Sequence, residues 1–288
     1  MSHLEQCSRR LWGGGYFVRA DFGDGYECLC AGSLLLLIHL RQGKIAPMLI
    51  HPLRYYATCG SFWVSNVFFF WLAVGNVQSR DQLVVVGLIN YLWPAFTLLG
   101  SIPILHKKAS WPLLCLGLSS AFLGIFISKV ATLNLGVIEA FRRIISVADE
   151  NLPAYLFALI AAFAWAFYSN FTRKIIADRG VGAVPIFMFS AGIPLILLGR
   201  FWGESPQWSM GICTLLVGWA LASGFAFLMW DIGMRLGNVV VISATSFAIP
   251  FFSTIITCLV TGTSMRPSLI VASILTVLGA VICNKAVK

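Results

Sequence analysis

Two stretches of this chain share one layout, and that repetition limits the possible folds more than any other feature. Leu83 to Ile127 runs apolar through Pro94, turns at Pro112 and reaches Gly124, while Val239 to Ile282 does so through Pro250, Pro267 and Gly279. The proline-to-proline gaps are 18 and 17 residues and both proline-to-glycine gaps are 12, so an offset of 155 to 156 superimposes the halves. Paired, interrupted hydrophobic segments in two halves of a chain mark membrane carriers whose binding site lies near the bilayer midplane.

Composition agrees with a membrane solvent. Of 288 residues, 59% are hydrophobic and only 11% charged, with a mean hydropathy of +0.86, more than a water-soluble core requires. A span needs about 20 mainly apolar residues. The segments read as spans are roughly 29–41, 55–75, 82–105, 111–129, 153–176, 183–202, 208–230, 237–260 and 267–284. A further, defective segment lies at the start, where the apolar run Leu11 to Val18 is closely followed by Arg19, Asp21, Asp24 and Glu27. Residues 1–30 are therefore read as the remains of a first span, truncated or altered. The domain reading is a first repeat over 1–130, a linker over 131–152 and a second repeat over 153–288. In the linker Ile138, Phe141, Ile144 and Ile145 alternate with Glu139, Arg142 and Arg143 at helical spacing, which suits an amphipathic surface helix or a solvated connector. Five spans per half is an odd number, so the second unit enters the membrane in the opposite sense and the repeat is inverted.

The net charge of +9 does not point to nucleic acid, because the basic residues sit singly or in pairs between apolar segments. They read as topology signals. With ten spans and a cytoplasmic amino terminus, 13 of the 20 fall inside: Arg9, Arg10, Arg41, Lys44, Arg54, Lys107, Lys108, Arg173, Lys174, Arg179, Arg235, Lys285 and Lys288. The eight cysteines are scattered, without metal-ligand spacing beside the four histidines. No metal and no cofactor is expected. Enzyme motifs such as H-E-x-x-H, G-x-S-x-G and G-x-x-x-x-G-K are missing, so no catalytic role is expected.

The candidate site follows from the prolines. Pro94 has no N–H, so the carbonyl of Asn90 loses its helical partner, and Pro250 does the same to Ser246. A plain kink satisfied by a neighbouring helix is the competing reading; its repetition in both halves favours a cavity. Tyr91 and Trp93 flank the first kink and Phe247 the second. Trp165, Tyr168, Ser169 and Thr172 share one helical face, and Trp63, Asn66 and Phe70 form a similar stripe. Packing is the rival reading for each ring. Asp231 is the one plausible deep titrating group, and its i, i+4 spacing to Arg235 reads more simply as a helix-end ion pair. A passive carrier or exchanger is the leaner expectation.

From Ala31 onward the chain resembles the drug/metabolite transporter superfamily of EamA type, and more closely its YddG-like aromatic amino acid exporters. The resemblance rests on Ile89-Asn90-Tyr91-Leu92-Trp93-Pro94, on Ala162-Phe163-Ala164-Trp165-Ala166-Phe167-Tyr168, on Gly224-Phe225-Ala226 with Trp230, and on Gly237-Asn238-Val239 followed by Ser246-Phe247 and Pro250. It implies a ten-helix monomer of two inverted five-helix repeats in the bacterial inner membrane, both termini cytoplasmic. It also implies export of aromatic amino acids through a central cavity lined here by Tyr91, Trp93 and Trp165, the lipid bilayer and a small-molecule substrate being the only partners. Rings suit a planar side chain by stacking and an ammonium by cation-π attraction. Another metabolite or a cationic drug is the alternative cargo, and a non-transporting membrane scaffold or sensor the alternative class.

Overall fold

A computed structural model describes residues 20–131, 137–147, 150–177, 180–201, 208–249, 252–253, 255–256 and 267–287. The described chain forms α1 (Ala20–Arg41), α2 (Ile45–Leu49), α3 (Leu53–Gly75), α4 (Arg80–Asn90), α5 (Trp93–Leu105), α6 (Trp111–Ala131), α7 (Val137–Ser146), α8 (Leu152–Ile175), α9 (Val184–Phe201), α10 (Met210–Leu236), α11 (Val239–Thr245) and α12 (Pro267–Ala286), with a 3-10 turn at Ser246–Ala248. Among the described residues six helices are long and apolar enough to cross a membrane, the α4–α5 pair counting as one, and Val184–Arg200 and Val239–Ala248 are shorter apolar helices. The protein is an all-helical, multi-pass membrane protein.

Local chemistry starts these helices where they start. Ser79 accepts from Gln82 N–H at 3.2 Å, Ser209 from Ile212 N–H at 3.2 Å, and Asn238 from Val240 and Val241 N–H at 3.0 and 3.4 Å. Each satisfies donors that a first turn leaves open. Asn151 caps α8, with Pro153 in the first turn where its missing N–H is harmless.

Two boundaries depart from the sequence reading. The segment expected to begin at residue 29 is helical from Ala20, so its 22 residues rise about 33 Å. Residues 1–30 are expected to be the remains of a separate first span, yet from Ala20 they continue into this helix, where Glu27 is buried and accepts a hydrogen bond from the Ser223 hydroxyl of α10. The segment expected to end at 230 runs on to Leu236. The linker contains the helix α7, whose Ile138, Phe141 and Ile145 are exposed, as suits an apolar face laid on lipid.

The repeats meet along α6 and α12. A Cβ on Gly124 would lie 2.2 Å from Thr276 Oγ1 and 2.6 Å from the Ala272 carbonyl, and one on Gly279 would lie 2.4 Å from Ala121 N and 2.6 Å from the Gly117 carbonyl. An offset of 155 carries Gly124 to Gly279, Gly117 to Ala272 and Ala121 to Thr276, so each contact is the image of the other. Ser120 Oγ donates to the carbonyl of Leu275, its own equivalent 155 residues away, at 2.8 Å. Reciprocal contacts and a residue touching its own counterpart are the marks of a two-fold axis. The repeat inferred from proline spacing is thus a repeat in space, and it is inverted.

α8 runs through the middle of the described bundle. Ala154, Ala158, Ala161, Ala162, Ala164 and Ala166 are all buried, and small residues let backbones approach closely inside a membrane.

Candidate functional site

Rings from α3, α5, α8 and α10 converge on the inner wall of α8. Trp63 stands edge-on to Tyr168 with centroids 4.9 Å apart and to Phe227 at 5.0 Å, and lies 5.4 Å from Trp165. Trp93 meets Trp230 edge-on at 5.0 Å, and Trp165 lies 5.9 Å from Trp230. Separations of 4.5–7 Å with tilted or edge-to-face planes are what the ring quadrupole favours. Trp93, from the first unit, therefore sits against rings of the second.

Polar groups anchor the rings. Trp230 Nε1 donates to Ser169 Oγ at 3.1 Å, and Ser169 Oγ donates to the Trp165 carbonyl at 2.8 Å. Asn66 Nδ2 donates to the Ala161 carbonyl at 2.9 Å, tying α3 to α8. Trp63 Nε1 is buried with no partner among the described residues. Below the rings, Tyr168 donates its hydroxyl to Asp231 Oδ1 at 3.3 Å, and Arg235 Nε donates to Asp231 Oδ2 at 2.7 Å. Arg235 Nη1 donates to the Gly180 carbonyl at 2.8 Å, and Arg173 donates to the Arg235 carbonyl. The i, i+4 pair read from sequence is present, but residues 180–183 fold back over it and leave Asp231 completely buried. Charges at such depth persist only when paired and hydrogen-bonded.

The proline sites differ from a simple kink. At the first, α4 ends at Asn90, the chain turns through Tyr91 and Leu92, and α5 restarts at Trp93 with Pro94 in its first turn. The helix is broken, and Pro94 occupies a position that needs no N–H. At the second, the Ser246 carbonyl accepts from Ile249 N–H within the 3-10 turn, so the carbonyl expected to stand open is taken up by the tighter i+3 pattern. Pro250 lies outside the described residues. Tyr91 and Phe247 pack with Leu88, Leu98, Val240 and Ala244 in a separate core, away from the tryptophans. Ser246 is buried and its hydroxyl donates to the Ile242 carbonyl at 2.7 Å.

The expected site residues thus fall into two groups. Trp63, Asn66, Trp93, Trp165, Tyr168, Ser169 and Trp230 belong to the ring cluster, and Asn90, Tyr91, Pro94, Ser246 and Phe247 to the two helix breaks. Phe227 was missed, as was Phe187, whose ring lies 6.0 Å from Trp63. Phe227 lies three residues before Trp230, so helical spacing could have found it; Phe187 carries no such signal.

The rings are in contact and fill the space expected to be a central hollow. Two depressions of about 490 Å³ each lie elsewhere, one between α3 and α9 at Gly60, Val64 and Phe187, the other at Leu105, Lys107, Arg173, Gly237, Asn238 and Val239. None of the expected site residues lines either. At the opposite end of α8 the bundle is tied shut, Asn151 Nδ2 donating to the Asn76 carbonyl at 2.7 Å and to Gln82 Oε1 at 3.0 Å, and Gln82 Nε2 to Glu150 at 3.2 Å. Among the described residues no three of His, Cys, Asp and Glu come together to hold a metal.

An EamA-like transporter family model matches residues 152–285. The aromatic amino acid exporter YddG of Salmonella typhimurium is 30% identical over 241 residues, spanning 82% of this chain and 79% of that protein. The chain belongs to the EamA-like transporter family. The aromatic amino acid exporter YddG of Escherichia coli is 27% identical over 219 residues, spanning 75% of this chain and 72% of that one, and its namesake in Ancylobacter novellus is 26% identical over 210. One crystal structure, 22% identical, matches 92% of this chain and 88% of its own at a TM-score of 0.77, so the two chains share one fold. As a member of this family the protein is a membrane transporter and not an enzyme.

Proposed function

We propose that this EamA transporter exports aromatic amino acids, or related small aromatic compounds, by alternating access across the bacterial inner membrane, as a monomer with both termini cytoplasmic. The observation that carries the reading is Trp93: it sits on the first residue of α5, just past the helix break, and meets Trp165 and Trp230 of the other unit. A break next to a ring is a joint at which a small turn of α5 separates the rings and makes room for a planar guest. The names borne by its relatives supply the cargo class. In this reading the basic residues at the ends of α5, α8 and α10 favour the cytoplasmic side for the depression at Lys107 and Arg173, with the Asn151–Gln82 clasp on the outer side, so the conformation is closed outward.

In this reading Trp93, Trp165 and Trp230 are the stacking surfaces and Ser169 the polar anchor that orients Trp230. Asn90, Tyr91, Pro94, Ser246 and Phe247 belong to the hinges rather than to the wall. Trp93→Ala tests it. Phenylalanine flux from reconstituted vesicles should fall more than about tenfold, while folded yield stays within about twofold, because a ring contact of this kind contributes only about 0.5–1.5 kcal/mol beyond its burial. Equal losses of flux and yield would assign Trp93 to packing. A labelled quaternary ammonium compound moved in preference to phenylalanine would shift the cargo to lipophilic cations.

A further inference from the structure

The depression at Lys107 and Arg173 has walls from three helices, and each wall continues inward to a buried polar residue about one turn deeper: Leu105 to Ser101 on α5, Arg173 to Asn170 on α8, Val239 to Ser243 on α11. Residues three or four apart share a helix face. Asn170 and Ser243 are completely buried, and each keeps one polar atom without a partner, Oδ1 of Asn170 and Oγ of Ser243. The Asn170 amide cannot be turned around, since Nδ2 donates to the carbonyls of Thr97 at 3.0 Å and Ala166 at 2.9 Å. Its unpartnered atom is therefore an acceptor that lacks a donor. Buried polar atoms left in this state carry a desolvation penalty that a bound donor relieves.

The mouth has the opposite character. Lys107 is half-buried and makes no ion pair among the described residues, and Arg173 gives one hydrogen bond to a backbone carbonyl and pairs with no carboxylate among them. Two cations that pair with no carboxylate among the described residues line the opening, and two hydrogen-bond acceptors wait one turn below. Thr97, whose carbonyl holds Asn170, sits one turn below Trp93 and donates its hydroxyl to the Trp93 carbonyl at 2.7 Å. This track of residues thus runs from the mouth of the depression toward the ring cluster, its inner members packed and buried.

We propose that this track is a second binding site, for the head group of a zwitterionic α-amino acid: Lys107 and Arg173 receive the carboxylate, and Asn170 Oδ1 with Ser243 Oγ accept from the ammonium. The proposal rests on the export reading and adds how the cargo is admitted. One turn of helix, about 5 Å, is bridged by the head group together with the flexible stems of Lys and Arg. Because a carboxylate and an ammonium are read at different depths, the site selects compounds carrying both.

The test uses the full chain in vesicles, with L-phenylalanine as cargo and two competitors, phenethylamine, which lacks the carboxylate, and 3-phenylpropionate, which lacks the ammonium. Lys107→Gln should raise the half-saturating phenylalanine concentration about tenfold, as loss of a charge-assisted hydrogen bond does, and leave competition by phenethylamine unchanged. Ser243→Ala should weaken phenylalanine about threefold, leave 3-phenylpropionate unchanged and hold or raise the thermal midpoint in detergent, since the buried hydroxyl has no protein partner to lose. Wild-type kinetics in both variants, or equal weakening of all three compounds, overturns the site while export stands. If wild-type vesicles carry no phenylalanine, the export reading fails instead. The site is then upheld by phenylalanine stabilising the detergent-solubilised chain in a Lys107-dependent way, and overturned without it.

Discussion

The α6–α12 seam and the ring cluster are built by opposite means. At the seam, backbones touch: nothing larger than hydrogen fits at Gly117, Gly124 or Gly279 without a Cβ closer than 3 Å to its neighbour. In the ring cluster large side chains meet between the helices, held by single hydrogen bonds such as Trp230 to Ser169. Backbone contact has one solution, whereas rings on rotatable stems have several. The seam is thus suited to stay fixed while the cluster rearranges, which is the division of labour a rocking carrier needs.

The comparison can be broken in three places. The largest effect is expected beneath the rings, at Arg235→Ala, which leaves the Asp231 carboxylate completely buried without its partner and should cost about 3–5 kcal/mol in detergent unfolding. A cost under about 1 kcal/mol would mean that water reaches Asp231 and that the knot is itself part of a moving gate. Next, Gly279→Val should cost about 3 kcal/mol, the upper range for overpacking, and abolish flux by preventing closure of the seam. Retained flux would show that the seam gives way, and the contrast drawn here would fail. The smallest effect belongs to Ser120→Ala, which loses one interhelical hydrogen bond and should cost about 0.6 kcal/mol with transport unchanged.

Much of this was legible in the residues, for identifiable reasons. Proline and glycine spacing exposed the repeat because the helix breaks and the seam both depend on those residue types. The stripes Trp63–Asn66 and Trp165–Tyr168–Ser169 were readable because helical periodicity reports a shared face. Tyr91 and Phe247 were misplaced beside the tryptophans: each lies in or next to a turn, where the helical phase is lost and neighbours in sequence point to different cores. The burial of Asp231 was hidden because it depends on residues 180–183 folding back from another loop, a contact between positions about fifty residues apart. The burial of Glu27 was hidden for a related reason, its partner Ser223 lying far along the chain.

The mirrored contacts at the seam have one more implication. Because Gly124 meets α12 as Gly279 meets α6, a bulky side chain at either position is the same steric insult delivered from opposite leaflets. Any difference between the two substitutions therefore measures how far the paired halves have diverged, Thr276 facing Gly124 where Ala121 faces Gly279.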